Sequence, residues 1–225
     1  TDVVICARNA KKLESVAEDI RAAGGSVETR VQDVADTDSF AAMIEDVASS
    51  NGLDILVNNA AHVGFGSVAD ASLEDFRENF RVNVDATYAG MQAAIKAMSD
   101  NGGSIINISS INGDRAMPGM AGYSSSKAAL LHLTRLASME TAGQNIRVNA
   151  VTPGPIMTPG TEAFIQSDPK AGEAIAAGIP MQRMGRPEEV ANVVLFLASD
   201  MSSYVTGANI PVDGGKANEL AVNQG

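Results

Sequence analysis

The chain of 225 residues has one cysteine, two histidines and no tryptophan. One thiol cannot form a disulfide within the chain. Cys6, His62 and His132 are too few for a structural zinc site, so no metal is expected. Cys6 lies in the apolar run Val3–Cys6 and reads as an inert buried thiol. Positive charge is scarce as well: 16 Lys and Arg stand against 27 Asp and Glu, a net charge of -11. Nucleic-acid and anionic-membrane surfaces need the opposite excess, so neither partner is expected. No apolar run approaches the roughly 20 residues of a membrane-spanning helix, and no secretory leader opens the chain. A cytoplasmic protein is the expectation. Hydrophobic residues, at 45%, are too many for disorder, and glycine has no fixed period, which excludes collagen-like and repeat chains. The length suits a single domain over residues 1–225.

Short β-branched runs alternate with longer amphipathic stretches. Strands are expected at Val3–Cys6, Ser26–Asp33, Leu53–Asn58, Gly103–Ser110, Ile146–Val151 and Ala208–Val212. Leu13, Val16, Ala17 and Ile20 mark a helix over 11–23 by their i, i+3, i+4, i+7 spacing, with Gly24 and Gly25 past its end. Phe40, Met43, Ile44 and Val47 mark a second helix, stopped at Asn51-Gly52. Ser72 with Asp75 resembles a capping box that opens a long helix through Met98. Another helix runs from Tyr123 to Glu140, and Pro187 opens the last. Residues 153–180, rich in Gly and Pro, read as a long loop with at most short helices. Strands alternating with helices predict an α/β fold, a doubly wound, mostly parallel, Rossmann-like sheet. Its ligands should lie beyond the carboxyl ends of the strands.

Gly64, Gly66 and Ala69 fit the dinucleotide pattern GxGxxG/A by letter. They sit several residues from both strand and helix, whereas the phosphate turn joins the two directly, so this stretch reads as a loop over the site. The stronger signal is Tyr123 with Lys127, one helical turn apart and so on one face. A phenol, with a pKa of about 10, is a weak acid–base catalyst at neutral pH. An ammonium beside it should favour the phenolate and draw that value down. Thirteen residues upstream, Ser110 ends the strand NISS at the ligand edge. Its hydroxyl can donate to a carbonyl oxygen where charge develops. Asn83 is a polar residue between Val82 and Val84, and its ordinary reading is a capped or solvent-facing amide.

NNA at 58–60, Asn83, NISS at 107–110, Tyr123-Ser-Ser-Ser-Lys127, VNAVTPGPIMT at 148–158 and GANIPVDGG at 207–215 stand in order. Together they resemble the short-chain dehydrogenase/reductase family, within it the 3-oxoacyl-carrier-protein reductase and glucose dehydrogenase type. The resemblance implies an oxidoreductase moving a hydride between NADP(H) and a ketone or secondary alcohol. It implies that Tyr123 is the general acid–base and that Lys127 lowers its pKa and binds the nicotinamide ribose. Ser110 would polarise the substrate oxygen, and Asn83 would hold a water in a proton relay through Lys127. Ser109 points to the other face of the strand end and is the weaker candidate. Ser124, Ser125 and Ser126 read as helix surface or packing.

For the cofactor, the resemblance implies Asp33 and Val34 at the adenine and Asn59 and Ala60 near the adenine ribose. Tyr123 and Lys127 would lie at the nicotinamide, with Ile156 and Thr158 at its carboxamide. NAD-dependent members carry an acidic residue after the first visible strand, where this chain has Ala7 and Arg8. A guanidinium grips a 2′-phosphate in a forked contact that a carboxylate would repel, which puts NADP(H) ahead of NAD(H).

The chain also departs from the family. Ala61 stands where glycine is usual, which bears on loop geometry. His62 borders the site without an assigned role, and His132 reads as surface or interface. No strand and TGxxxGxG turn precede Val3. In the family's sheet order that strand lies between those at Val3 and Leu53, so a gap with unpaired edges is expected there. The chain therefore reads as lacking about 25–35 leading residues, the size of a strand–helix unit. The alternative is a truncated, non-catalytic relative that acts as an oligomerising or binding partner; the full set Asn83, Ser110, Tyr123 and Lys127 speaks against it. The resemblance also implies a homotetramer, built through the helices of Asn83 and Tyr123 and the last strand and helix. Ala86, Ala89, Gly90, Ala128 and Ala129 would allow that close packing. Phe164, Ile165, Met181 and Met184 border the long loop as candidate lid residues.

Overall fold

Several helix starts are fixed by side chains placed just before them. Asn9, Asp36, Ser72, Thr158 and Asp168 each accept a hydrogen bond from a backbone N–H of the first turn. In the computed structural model, which describes residues 2–218, these open α1 (Ala10–Ala22), α2 (Thr37–Asn51), α3 (Leu73–Phe80), α6 (Pro159–Ser167) and α7 (Pro169–Ala177). The other helices are α4 (Ala86–Met98), α5 (Ala121–Thr141) and α8 (Pro187–Ala198). The long helix expected from Ser72 to Met98 is α3 and α4 joined by one π-helical turn, Arg81–Asp85. The stretch 153–180 contains two helices of nine residues each, α6 and α7, with proline in each first turn.

The strands are β1 (Asp2–Ala7), β2 (Ser26–Val31), β3 (Ile55–Asn58), β4 (Gly103–Ile108), β5 (Ile146–Pro153) and β6 (Asn209–Val212). All pair in parallel, in a two-stranded sheet β1-β2 and a four-stranded sheet β3-β4-β5-β6. Among the described residues no ladder joins the two sheets, and the break lies between β1 and β3, where the sequence places a gap. Thr1 and residues 219–225, the ends of the expected single domain, lie outside the described residues.

Alternation along β4 sends neighbours to opposite faces. Ile105 packs with Met91, Met98 and Val148 on one side; Ile106 packs with Val151 and Leu197 of α8 on the other. Helices thus cover both faces of the sheet. A third cluster, Phe40 and Ile44 of α2 with Ala93 of α4, gathers Cys6 of β1 together with Leu53 and Leu56. This cluster spans the break between the sheets. Burial there raises the Cys6 thiol pKa, consistent with an inert thiol.

Two of the small residues expected at a subunit interface face inward instead. Ala86 is buried, and a Cβ on Gly90 would stand 2.8 Å from the Phe40 ring. Gly90 allows α4 to approach α2 within one protomer, while Ala89, Ala128 and Ala129 remain nearer the surface. Among the described residues, no helix is long and apolar enough to cross a membrane.

Candidate active site

Helix α5 presents Tyr123, Ser126, Lys127, Leu130 and Thr134 along one face, and the last four are buried. Lys127 is 2% exposed. Its Nζ donates to the Ile108 carbonyl at 2.7 Å and stands 5.8 Å from the centroid of the Tyr123 ring. Ser109 Oγ donates to the Lys127 carbonyl at 3.1 Å, so the end of β4 grips the helix at two points. Ser109 thus faces the helix backbone. Ser110, the next residue, accepts a hydrogen bond from the Asn112 N–H at 3.2 Å and acts on the Tyr123 hydroxyl.

Burial raises the Tyr123 pKa, and Ser110 opposes that rise. Burial also lowers Lys127 to about 8. The sequence reading has the ammonium drawing the phenol down. In the structure desolvation wins, and the opposing pull comes from Ser110. Tyr123 therefore keeps its proton at neutral pH.

Asn83 is 0% exposed, which overturns the reading of a solvent-facing amide. From the π turn its Oδ1 accepts from the His62 N–H at 2.8 Å. Its Nδ2 donates to the His62 carbonyl and to Ser126 Oγ, both at 2.9 Å. Ser126 Oγ in turn donates to the Tyr123 carbonyl at 2.8 Å. Both amide hydrogens of Asn83 are taken, so the side chain braces the loop after β3 against α5. One turn earlier, Asn79 Oδ1 accepts from the Gly64 N–H at 3.1 Å. Gly66 then donates to the Gly119 carbonyl at 2.7 Å and accepts from the Ala121 N–H at 3.1 Å. The glycine pattern at 64–69 is a strap fixing this loop to the start of α5. The sequence reads Ser126 only as helix surface or packing and does not single out Asn79, yet spacing marks both: Ser126 follows Tyr123 by three residues, and Asn79 precedes Asn83 by four.

The expected cofactor residues lie just past the carboxyl ends of the strands. Arg8, Asp33, Asn59, Ala60 and Thr158 are exposed, and Val34 and Ile156 half-buried. Arg8 follows β1 and lies in no ion pair among the described residues, though it acts electrostatically on Glu78. Glu78 holds Arg81 by two hydrogen bonds of 2.7 and 2.8 Å, and Asp33 acts on that guanidinium. This donor set fits a phosphorylated dinucleotide. Arg8 offers a guanidinium for an anion, and Lys127 has two hydrogens beyond the one given to Ile108, suited to ribose hydroxyls. A groove of about 640 Å³ lies elsewhere, lined by Asp38, Glu45, Tyr88, Gln92 and Lys96, and no member of the constellation borders it.

Parallel strands covered by helices on both faces, with a buried lysine below a tyrosine and a serine at the carboxyl edge, define a Rossmann-like protein of the dehydrogenase class. A family model described as enoyl-(acyl carrier protein) reductase matches residues 1–217. A 3-oxoacyl-[acyl-carrier-protein] reductase of Thermotoga maritima is 40% identical over 207 residues, covering 91% of this chain and 83% of the relative. A cyclopentanol dehydrogenase of Comamonas testosteroni is 37% identical over 204 residues, 90% of this chain and 81% of the relative. Among solved structures, a gluconate 5-dehydrogenase of Burkholderia cenocepacia in complex with NADP and tartrate superimposes with a TM-score of 0.90 at 30% identity, covering 98% of this chain and 87% of that one. The chain belongs to the short-chain dehydrogenase/reductase family, and is an oxidoreductase acting on CH–OH and C=O groups. Three relatives carry three different substrates in their names, so family membership leaves the substrate open.

Proposed function

We propose that this protein is an NADP(H)-dependent reductase of a ketone, or dehydrogenase of the matching secondary alcohol, working as one Rossmann-like domain over residues 1–225. The observation that carries the reading is the Ser110–Tyr123–Lys127 arrangement: a serine near enough to the Tyr123 hydroxyl to oppose the rise in its pKa, and a buried amine 5.8 Å from the ring centroid. Bound NADPH supplies the hydride for the carbonyl carbon. Ser110 donates to the carbonyl oxygen as charge develops there, and Tyr123, protonated at neutral pH, gives that oxygen its proton. Lys127 holds the nicotinamide ribose through its two remaining hydrogens. Asn83 is a positioning residue, fixing the loop after β3 to α5. Arg8 takes the 2′-phosphate, Asp33 and Val34 the adenine, Asn59 and Ala60 its ribose, and Ile156 and Thr158 the carboxamide.

The protein is a cytoplasmic homotetramer in this reading. Tyr88 at 48% and Met139 at 83% exposure support one interface on α4 and α5, and Met201 at 72% with fully exposed Tyr204 supports another beside β6. The test follows nicotinamide absorbance with the full-length protein, NADPH or NADH, and a panel of ketones. NADPH should be oxidised faster than NADH, and Tyr123→Phe should lose at least about a thousandfold in kcat with its circular dichroism unchanged. Undiminished turnover in Tyr123→Phe would refute the mechanism.

A further inference from the structure

Three chain segments leave the carboxyl edge of the larger sheet around Ser110 and Tyr123, and a fourth comes back to them. The loop after β3 is tied to the start of α5 through Gly66 and Gly119. The segment after β4 carries Ser110 itself. Ile108 pairs with Val151, so the segment after β5 emerges beside it. The stretch after α7 returns to that segment, where Gly185 accepts from the Met157 N–H at 2.8 Å. Each segment exposes a large apolar side chain: Phe65 (77%), Met117 (54%), Met157 (39%) with Phe164 (50%), and Met181 (59%). A single exposed apolar residue is unremarkable, but one on every segment around one pair of hydroxyls forms a lining.

Several charged groups on these segments are engaged with the protein itself. Arg115 Nε donates to the Ala217 carbonyl at 3.0 Å, and Asp114 accepts from Asn209 at 2.6 Å. Asp213 accepts the N–H groups of Gly215 and Ala217. Arg183 is paired through both terminal nitrogens with Glu189 at 2.8 and 2.7 Å. At those positions a substrate carboxylate or phosphate would have to break such pairs, and against methionine and phenylalanine it would be desolvated.

We infer that the substrate is an uncharged, apolar ketone or its secondary alcohol. The carbonyl is held at Ser110 and Tyr123, and the hydrocarbon body lies against Phe65, Met117, Met157, Phe164 and Met181. This rests on the catalytic reading above and narrows it to a substrate class. The unbranched methionines let the lining adapt to bodies of different outline.

The test measures kcat/KM of the full-length protein with NADPH for cyclobutanone, cyclopentanone and cyclohexanone. A polyhydroxy keto acid and a 3-oxoacyl group on acidic carrier protein serve as competitors. Each added methylene should raise kcat/KM roughly three- to fourfold, the equivalent of its burial, and the cyclic ketones should exceed both competitors by at least tenfold. Phe65→Asp and Met117→Asp, both at exposed positions, should lower kcat/KM for cyclohexanone by tenfold or more while NADPH affinity stays within twofold. Preference for the keto acid or the carrier-bound substrate overturns the apolar class and leaves the Tyr123 mechanism standing. Cyclohexanone turnover that survives Tyr123→Phe overturns the mechanism instead. Turnover of none of the three classes overturns both.

Discussion

Asn83 and Ser126, 43 residues apart in sequence, meet in a buried hydrogen bond of 2.9 Å between the π turn and α5. The bond couples the loop after β3 to the backbone of Tyr123, because Ser126 also donates to the Tyr123 carbonyl. Ser126→Ala leaves one Asn83 hydrogen unpaired in the interior and should cost about 1–3 kcal/mol. Asn83→Leu strands both backbone groups of His62 and should cost more, about 2–5 kcal/mol. Urea melts at constant m-value check both. In Ser126→Ala, kcat should fall with little change in NADPH affinity, since the displaced element carries the acid and not the nucleotide contacts.

Lys127 gives a prediction in pH. Its folded pKa of about 8 lies below the ordinary lysine value, so between about 8 and 10.5 the unfolded chain binds more protons than the folded one. Stability from this residue therefore rises with pH across that window and is lowest below it. Lys127→Met removes the buried charge. Its Tm should equal or exceed that of the parent near pH 7, with the difference shrinking toward pH 10, while reductase activity is lost. A variant destabilised equally at all pH values would show that the amine is structurally required.

Tyr123, raised by burial, holds its proton through the neutral range. Reduction should therefore run at a plateau from about pH 6 to 8, and alcohol oxidation, which needs the phenolate as base, should climb toward alkaline pH. Initial rates in both directions across pH 6–10 test this. A Ser110→Ala variant, which loses the opposing interaction, should shift the oxidation limb to still higher pH.

Arg8 is expected to set the choice of nucleotide. Arg8→Asp should reduce kcat/KM for NADPH by about 10- to 100-fold, the equivalent of a charge-assisted contact of roughly 1.5–3 kcal/mol, and leave NADH within a few-fold. Unchanged preference would remove Arg8 from the site.

Phe40 lies at the centre of the cluster that spans the break between the two sheets, 5% exposed. Phe40→Ala should cost about 3–5 kcal/mol by chemical denaturation. That is more than the outer half of α1 would, where Val16 is 50% exposed.

The strands were legible because strands of a parallel sheet become largely apolar runs, as in ILV of β3 and the three isoleucines of β4. Boundaries were less so: β2 ends at Val31 where the pattern continued to Asp33, and β5 runs on to Pro153 past the expected Val151. The helices α6 and α7 were obscured by the glycine and proline around them. Pro159 and Pro169 were in fact first-turn residues with Thr158 and Asp168 as caps. Spacing alone brought Tyr123 and Lys127 together. It could not show that Asn83 turns inward, because that depends on His62 arriving from another part of the chain. Nor could it give the sign of the Tyr123 shift, since sequence reveals a neighbouring charge but not the depth of the site.

The strap between the loop after β3 and the start of α5 has a kinetic meaning. Gly66 donates to the Gly119 carbonyl at 2.7 Å and accepts from the Ala121 N–H at 3.1 Å. Amides paired in one bridge exchange with solvent only when that bridge opens. The Gly66 and Ala121 amides therefore open and close as one unit, and the loop over the site keeps time with the helix that carries Tyr123.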